Sequence, residues 1–490
     1  MDRQIRGETQ LLRLSAAVLA ALSLSWAGPA PAQEAHAPST VVDATGELAP
    51  AAPGRPYAAR NRPDRIVLSP GADAARAMAV SFRTDVGQAE AVAELVRAVD
   101  APNFALAARP RTGTSTRMRS ENGEAIYHQV RFDGLEPDTR YFYRVKGAEA
   151  WSEWLQFRTA AATFRPFRFI YLGDTQNRIL EVGSLAFRQA IIRAGDPALM
   201  LHAGDLVASR DDMVHDDEWG QWTEAGGFAL GMIPQVPAAG NHEYVDLILP
   251  DGSESRRLAP HWPLSFALPG NGAPGVGATS YVTDYQGLRI IVLDGTAAID
   301  LGQLESQTRW LDERLAESTA HWNIVLFHQP IFTCARPNDT EVLKAAWKPV
   351  FEARSVDLVL QGHDHCYGRL TSEQGREAGA AARATGAAQG PVYIVSVTGA
   401  KMYGLNDRSA TQPDRVAEDT TLFQIVDVEA DRLRVRTYTM TGTLYDGFDL
   451  VRSSAGTKTI EELAQPVPPT RRCTGTAGPD GLPCTAEPKD

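Results

Sequence analysis

The chain has 490 residues, of which 43% are hydrophobic and 22% are charged, as in an ordinary globular protein. Its formal net charge of −12 argues against a nucleic-acid-binding surface, which is normally basic. The same charge does not exclude an anionic ligand, because bound metal cations reverse the local field. The length predicts two or three domains.

The N-terminus has the three-part pattern of a signal peptide. Basic residues open the chain, residues 14–27 form an apolar run, and Ala30-Pro31-Ala32 supplies a small-x-small cleavage site. The alternative is a membrane anchor, but the run is shorter than the roughly 20 residues that span a bilayer. We therefore predict a cleaved signal peptide over residues 1–32, export to the periplasm or the medium, and no membrane anchor.

Residues 33–61 are rich in Ala and Pro and are predicted to form a flexible lead-in. Short strands separated by turns follow over residues 62–161, and this pattern is typical of a β-sandwich. The clearest strands are residues 78–84, 127–132, 141–145 and 154–159. We predict an all-β domain that supplies no catalytic group.

The pattern changes over residues 165–452, where six apolar runs each end in polar residues. The polar residues that follow the runs are Asp174, Asp205, Asn241, His328, and the pair His363 and His365. Between the runs, helices are predicted near Val182–Ala194 and Leu304–Glu317. Apolar strands that alternate with helices are buried on both faces, and ligands bind beyond the carboxyl ends of such strands. The sequence thus predicts an α/β domain with one site at its strand ends.

The C-terminal third holds less regular sequence. Residues 372–390, dominated by Ala, Gly, Glu and Arg, are predicted to form an inserted loop or short helix. Three further strands, at residues 392–397, 422–428 and 432–440, are predicted to form a second sheet packed on the first. Residues 453–490 are predicted to be a polar tail.

The residue types at the strand ends suit metal ions. Carboxylate, amide oxygen and imidazole together favour Fe, Zn or Mn, and the carboxylates are too few for a magnesium or calcium site built mainly from oxygen. Six candidate ligands exceed the need of one ion, so two divalent or trivalent metal ions are predicted. Two cations about 3.5 to 4 Å apart can hold the attacking and the leaving oxygen of a phosphoryl group.

The motifs Gly-Asp, Gly-Asp, Gly-Asn-His-Glu, His and Gly-His-Asp-His occur in that order, each after a strand. This series resembles the signature of the calcineurin-like metallophosphoesterases. The fibronectin type III-like leader, the segment His261–Pro269 and the sequence Tyr445–Phe448 look like bacterial purple acid phosphatases. The resemblance covers about residues 62–452. It implies a metallophosphoesterase β-sandwich flanked by helices, preceded by a fibronectin III-like domain.

The resemblance assigns a metal to each ligand candidate. Asp174 and His365 would bind the first metal, and Asp205 would bridge the two. The second metal would be bound by Asn241, His328 and His363.

Other residues receive roles beside the metals. The resemblance implies that His242 contacts the phosphate and protonates the leaving group, and that Glu243 orients His242. His202 precedes the second Gly-Asp motif and is either a packed core histidine or a partner that orients a ligand.

The sequence departs from the family pattern at three places. The purple enzymes have a tyrosine ligand three residues after the bridging aspartate, where this chain has Ala208, so no purple colour is expected. The first motif reads Asp-Thr-Gln instead of Asp-x-His, so Gln176 or water would complete the first metal site. No phosphate-binding histidine lies shortly after His328, and Arg336 and Asn338 are proposed as substitutes.

The four cysteines are expected to form two disulfide bonds, which an exported chain permits. Cys473 and Cys484 lie together in the tail, and Cys334 and Cys366 each follow a candidate metal motif. The alternative is that Cys334 or Cys366 is a thiolate ligand or nucleophile.

Three functions compete. The first is hydrolysis of small phosphate monoesters by a metal-activated hydroxide. The second is hydrolysis of phosphodiesters or nucleotides at the same site, and the third is a catalytically dead protein that binds a surface. Retention of all six ligand candidates argues against the third.

Export of the chain is directly testable. Cleavage after Ala32 would leave Gln33 as the first residue of the mature protein. N-terminal sequencing or intact mass of protein recovered from the periplasm or the medium checks this. Recovery of the uncleaved chain from the cytoplasm alone would contradict it.

Overall fold

A computed structural model describes residues 56–371, 387–388, 390–410, 413–454 and 456–487. These residues belong to one compact unit, Arg55–Asp490. The predicted signal peptide, most of the predicted lead-in and nearly all of the loop predicted at residues 372–390 lie outside the described residues. Among the described residues, no helix is both long and apolar enough to cross a bilayer.

The first domain is a sandwich of two antiparallel four-stranded sheets, with strand orders β1-β2-β6-β5 and β4-β3-β7-β8. Its strands are β1 (Asp64–Pro70), β2 (Ala77–Thr84), β3 (Val92–Arg97), β4 (Arg109–Thr112), β5 (Thr114–Ser120), β6 (Gly123–Asp133), β7 (Arg140–Val145) and β8 (Leu155–Arg158). Alternate residues of β7, including Tyr141 and Tyr143, are buried, as expected for a strand with one face on the core. The Tyr141 hydroxyl accepts a hydrogen bond from the Glu136 amide at 2.9 Å, which closes a tyrosine corner. The predicted fibronectin III-like sandwich is confirmed.

The second domain contains two mixed sheets with helices outside them, and a separate hairpin. Its strands are β9 (Phe167–Leu172), β10 (Leu199–His202), β11 (Gln235–Pro237), β12 (Tyr244–Ile248), β13 (Glu254–Leu258), β14 (Tyr281–Tyr285), β15 (Leu288–Val292), β16 (Trp322–Leu326), β17 (Leu358–Gln361), β18 (Tyr367–Thr371), β19 (Ala387–Ala388), β20 (Val392–Val395), β21 (Arg415–Ala417), β22 (Leu422–Val428), β23 (Arg432–Thr439), β24 (Leu444–Arg452) and β25 (Lys458–Glu462). Its helices are α1 (Ser184–Ala194), α2 (Asp217–Gly226), α3 (Ala229–Met232), α4 (His261–Ser265), α5 (Gly295–Asp300), α6 (Leu304–Ala316) and α7 (Glu341–Ala353).

Each sheet contains a run of parallel strands. One sheet has the order β11-β10-β9-β22-β23-β24-β25-β19, in which β9, β10 and β11 are parallel. The other has the order β14-β15-β16-β17-β20-β18-β21, in which β15, β16, β17 and β20 are parallel. The carboxyl ends of the parallel strands in each sheet therefore lie at one edge.

The near-continuous apolar sequence of the central strands reflects burial on both faces. Along β16, Ile324 and Leu326 face the core shared with the other sheet, whereas Val325 packs with the helix residues Trp310 and Trp347. The predicted α/β architecture of helices outside buried strands is confirmed.

The prediction for the C-terminal strands was wrong in one respect. Strand β20 does not join β22 and β23; it pairs in parallel with β17 in the other sheet. Strand β22 instead pairs with β9, and β23 to β25 extend that sheet. Strand pairing depends on contacts between distant segments, which an apolar pattern does not specify. The predicted tail contains β25, which pairs with β24.

The two domains meet around the buried carboxylate of Asp216, next to the N-terminus of α2. The Arg65 guanidinium of β1 donates to both oxygens of Asp216, at 2.6 and 2.8 Å. Arg83 of β2 and His261 of α4 also contact the carboxylate, at 3.2 and 3.0 Å. Burial alone would raise the pKa of Asp216, but His261 and the two arginines hold it below its ordinary value.

Replacement of Asp216 is expected to lower the free energy of unfolding of the protein. Asp216→Asn keeps the shape but leaves the buried Arg65 guanidinium without its counter-charge, which costs about 3–5 kcal/mol, whereas Arg83 keeps its pair with Asp64. Urea unfolding of the variant and the wild type measures the loss. The matched control is Glu124→Gln, which breaks an exposed pair with Arg117 and should cost less than about 1 kcal/mol. Equal small losses in both variants would contradict the proposed importance of Asp216.

Candidate metal centre

The six predicted ligands come from the carboxyl ends of parallel strands in both sheets. Asp174, Asp205 and Asn241 follow β9, β10 and β11 of one sheet. His328 follows β16 of the other sheet, and His363 and His365 follow β17. The sheet edges meet there, because the His363 amide donates to both oxygens of Asp174, at 3.0 and 2.8 Å.

Asp205 lies at the centre of the cluster. Its Oδ2 is 3.1 Å from His328 Nε2, and His328 Nε2 is 3.1 Å from Asn241 Oδ1 and 3.0 Å from His363 Nδ1. On the other side, Asp174 Oδ1 is 3.6 Å from His365 Nε2. Two groups of potential ligand atoms result, each within 4.8 Å: Asp205 with His328 and His363, and Asp205 with Asp174 and His365. A carboxylate common to both groups has the placement of a bridging ligand.

Hydrogen bonds leave defined ring nitrogens free for a ligand. His328 Nδ1 donates to the Ala203 carbonyl at 2.7 Å, and His365 Nδ1 donates to the Lys401 carbonyl at 2.8 Å. These bonds fix the tautomers, so that Nε2 of each ring presents its lone pair to the cluster. Burial lowers the pKa of His365 to about 3, which keeps its ring neutral, the form that binds metals.

The backbone at the cluster is strained and tightly packed. Asp205, His363 and His365 have φ values of 49°, 71° and 46°, a left-handed conformation that costs a non-glycine residue about 1–3 kcal/mol. A Cβ on Gly240 would lie 2.2 Å from Asp205 Oδ1, and one on Gly362 would lie 2.3 Å from Asp174 Oδ2. Only glycine lets the neighbouring chain approach these carboxylates so closely.

The donor set fits two metal ions. Two buried carboxylates, an amide oxygen and three imidazoles converge without a lysine or arginine that pairs with either carboxylate among the described residues. Burial, together with the neighbouring charge of Asp205, raises the pKa of Asp174 to about 7. A pair of cations would compensate both carboxylates, which is how buried charges are normally accommodated.

Family comparisons agree with this geometry. Residues 167–367 match the family model for calcineurin-like phosphoesterases, and residues 63–159 match that for the purple acid phosphatase N-terminal domain. The chain therefore carries a calcineurin-like phosphoesterase domain behind a purple acid phosphatase N-terminal domain. Both predicted family resemblances are confirmed.

Individual relatives share low sequence identity with this chain. Purple acid phosphatase 1 of Ipomoea batatas is 28% identical over 258 residues, which cover 50% of this chain and 52% of the relative. The Fe(3+)-Zn(2+) purple acid phosphatase 12 of Arabidopsis thaliana is 26% identical over 253 residues, 49% of this chain and 52% of the relative. The chain thus spans about half the length of these relatives.

A solved structure supports the fold. Purple acid phosphatase PPD1 from yellow lupin (Lupinus luteus) seeds superposes with a TM-score of 0.66 at 17% identity. The match covers 81% of this chain and 75% of that one. At this level of identity the likeness concerns the arrangement of the two domains' strands and helices.

Gln176 of the phosphoesterase domain lies inside the centre. Its Nε2 is 2.9 Å from Asp205 Oδ2 and 3.0 Å from His365 Nε2, while its Oε1 is buried without a hydrogen-bond partner. Rotation of the amide by half a turn would place Oε1 between Asp205 and His365. That position is compatible with a ligand of the first metal; whether Gln176 or water completes the site stays a prediction.

Glu243 supports the backbone at Asp205, and among the described residues none of its hydrogen bonds reaches the His242 side chain. Its two carboxylate oxygens accept from the amides of Asp205 and Leu206, at 2.9 and 2.8 Å. His202 bonds to Gln235 at 2.7 Å and packs against Trp222. His202 is therefore a packed core histidine, which was one of its two predicted roles.

His242 stands at the rim of the centre, with its side chain 15% exposed and its Nε2 3.9 Å from Asp205 Oδ2. Its Nδ1 bonds to the Ala208 carbonyl. The amides of Ala208 and Ser209 both donate to Glu218 Oε2 at 2.7 Å, so Glu218 of α2 fixes the loop that orients His242. Sequence reasoning missed Glu218, because an acidic residue in the first turn of a helix is ordinary.

The residues predicted to bind substrate differ in their placement. Arg336 Nη1 donates to the His363 carbonyl and to Asp364 Oδ1, both at 2.8 Å, so it lies beside the centre but is already paired. Asn338 is exposed, and its backbone carbonyl accepts from Thr333. Neither position identifies Arg336 or Asn338 as a residue that contacts the substrate.

Both predicted disulfide bonds are confirmed, Cys334 with Cys366 and Cys473 with Cys484. The alternative of a thiolate ligand at Cys334 or Cys366 is therefore excluded. The first disulfide joins the loop after His328 to the residue that follows His365.

Proposed function

We propose that the protein is an exported binuclear metal-dependent phosphatase that hydrolyses small phosphate monoesters. The observation that carries the proposal is the shared position of Asp205 between two groups of ligand atoms. The phosphoesterase family match supports it. The two disulfide bonds support an oxidising compartment, such as the periplasm or the medium.

The two metals would be held by the residues that the geometry gathers. Asp174, His365 and the Gln176 amide oxygen would hold the first metal, Asn241, His328 and His363 would hold the second, and Asp205 would contribute to both. When bound, the two cations lower the pKa of a coordinated water and offset charge on the phosphate oxygens. Fe, Zn and Mn all suit this donor set, and the name of one relative specifies iron and zinc.

The protein's own residues would position the substrate and the leaving group. Because the Ala208 carbonyl accepts from Nδ1 of His242, Nε2 of His242 faces the rim, where it would donate a hydrogen bond to the leaving oxygen when the imidazole is protonated. No side chain has to form a covalent bond to phosphorus.

Loss of the bridging ligand should abolish activity. We expect metal-loaded protein to hydrolyse p-nitrophenyl phosphate faster than its bis ester, and Asp205→Asn to lower kcat/KM at least about 100-fold, since loss of a group that merely supports a ligand costs 10- to 100-fold. Asp312→Asn is the matched control, because Asp312 pairs with Arg354 at the surface. Faster turnover of the bis ester would favour a phosphodiesterase, and no turnover of either ester would favour a catalytically inactive protein.

Glu218 should act through His242. Glu218→Ala frees the amides of Ala208 and Ser209, so His242 loses its fixed position and kcat falls about tenfold or more. The loss should be larger for phenyl phosphate than for p-nitrophenyl phosphate, because the poorer leaving group needs the hydrogen bond more. Metal content should stay unchanged. An equal loss for both substrates would contradict this role.

A further inference from the structure

Lys401 lies on the loop that follows β20, and this loop is pinned to a metal-ligand candidate. His365 Nδ1 donates to the Lys401 carbonyl at 2.8 Å. Two residues later, the Tyr403 amide donates to the His365 carbonyl at 3.0 Å. The backbone around Lys401 is therefore fixed against His365 at two points.

The Lys401 side chain lies over the ring of Tyr403, which packs beside the metal centre. Its ammonium is 5.5 Å from the centre of the Tyr403 ring, which in turn lies 4.8 Å from the His365 ring. Lys401 is partly exposed and thus accessible to a ligand.

Lys401 differs from the other cations nearby in having no counter-charge. Arg336 pairs with Asp364 at 2.8 Å, and Arg210 pairs with Asp246 at 3.0 Å. Among the residues that the structure describes, no carboxylate lies within ion-pair distance of Lys401. An unpaired ammonium beside a centre built for two cations is electrostatically unfavourable, and an anion bound between them would remove the repulsion.

We propose that Lys401 is the phosphate-recognition residue of this site, where its backbone is fixed against His365 and its ammonium, over the Tyr403 ring beside His365, binds a non-bridging oxygen of a dianionic phosphate monoester. This proposal rests on the function proposed above and narrows its substrate class. A monoester carries close to two negative charges at neutral pH, whereas a diester carries one. A lysine is a compact point charge that suits such an oxygen, so Lys401 selects monoesters over diesters.

Binding of inorganic phosphate to metal-loaded protein tests the proposal without turnover. Lys401→Gln should raise the calorimetric Kd for phosphate at least about tenfold, because loss of a hydrogen bond to a charged group lowers affinity by about that factor. Lys401→Arg, which keeps the charge, should recover most of the affinity. The matched control is Lys146→Gln in the N-terminal domain, which should leave the Kd unchanged.

Two further readouts separate recognition from a structural role. In Lys401→Gln, kcat/KM should fall about tenfold or more for p-nitrophenyl phosphate but less than about threefold for the bis ester, and metal content by elemental analysis should match the wild type. An unchanged phosphate Kd, or a loss of affinity that follows a loss of metal, would overturn the proposal. Wild-type protein that binds phosphate but hydrolyses no ester would refute the proposed function, while the phosphate Kd would still decide the role of Lys401.

Discussion

Asp205 is a buried carboxylate in a strained backbone conformation, and the geometry of the whole centre depends on it. The amides of Thr175 and Gln176 donate to its carbonyl at 3.2 and 3.1 Å. Glu243 accepts from its amide, and the His242 amide donates to its Oδ1 at 2.9 Å. Hydrogen bonds from two segments thus hold Asp205 in place, and they offset the cost of its left-handed conformation.

Hydrogen bonds also connect the metal centre to the N-terminal domain through the start of α2. Asp216 accepts from Arg65 of the β-sandwich, and two residues later Glu218 accepts from the Ala208 amide. Because Ala208 in turn holds His242, the junction between the domains and the rim of the metal centre share one helical turn. The N-terminal domain can in this way stabilise the position of a residue at the centre.

The convergence of the six ligand candidates could be predicted from the sequence because each follows an apolar strand, and parallel strands end at a common edge. The change to Gln176 could also be recognised, since it lies in a motif. The roles proposed for Glu218 and Lys401 could not, because they depend on contacts with residues outside their own elements, Ala208 and His365. The pairing of β20 with β17 was missed for the same reason. Sequence patterns report local burial, whereas these features depend on tertiary contacts.

The central claim is that two metal ions flank Asp205. Anomalous diffraction from a crystal of the metal-loaded protein tests it most directly. We expect two peaks about 3.5 to 4 Å apart, one beside Asp174 and His365 and one beside His328 and His363, with the Asp205 carboxylate between them. A single peak, or peaks away from these side chains, would contradict the account.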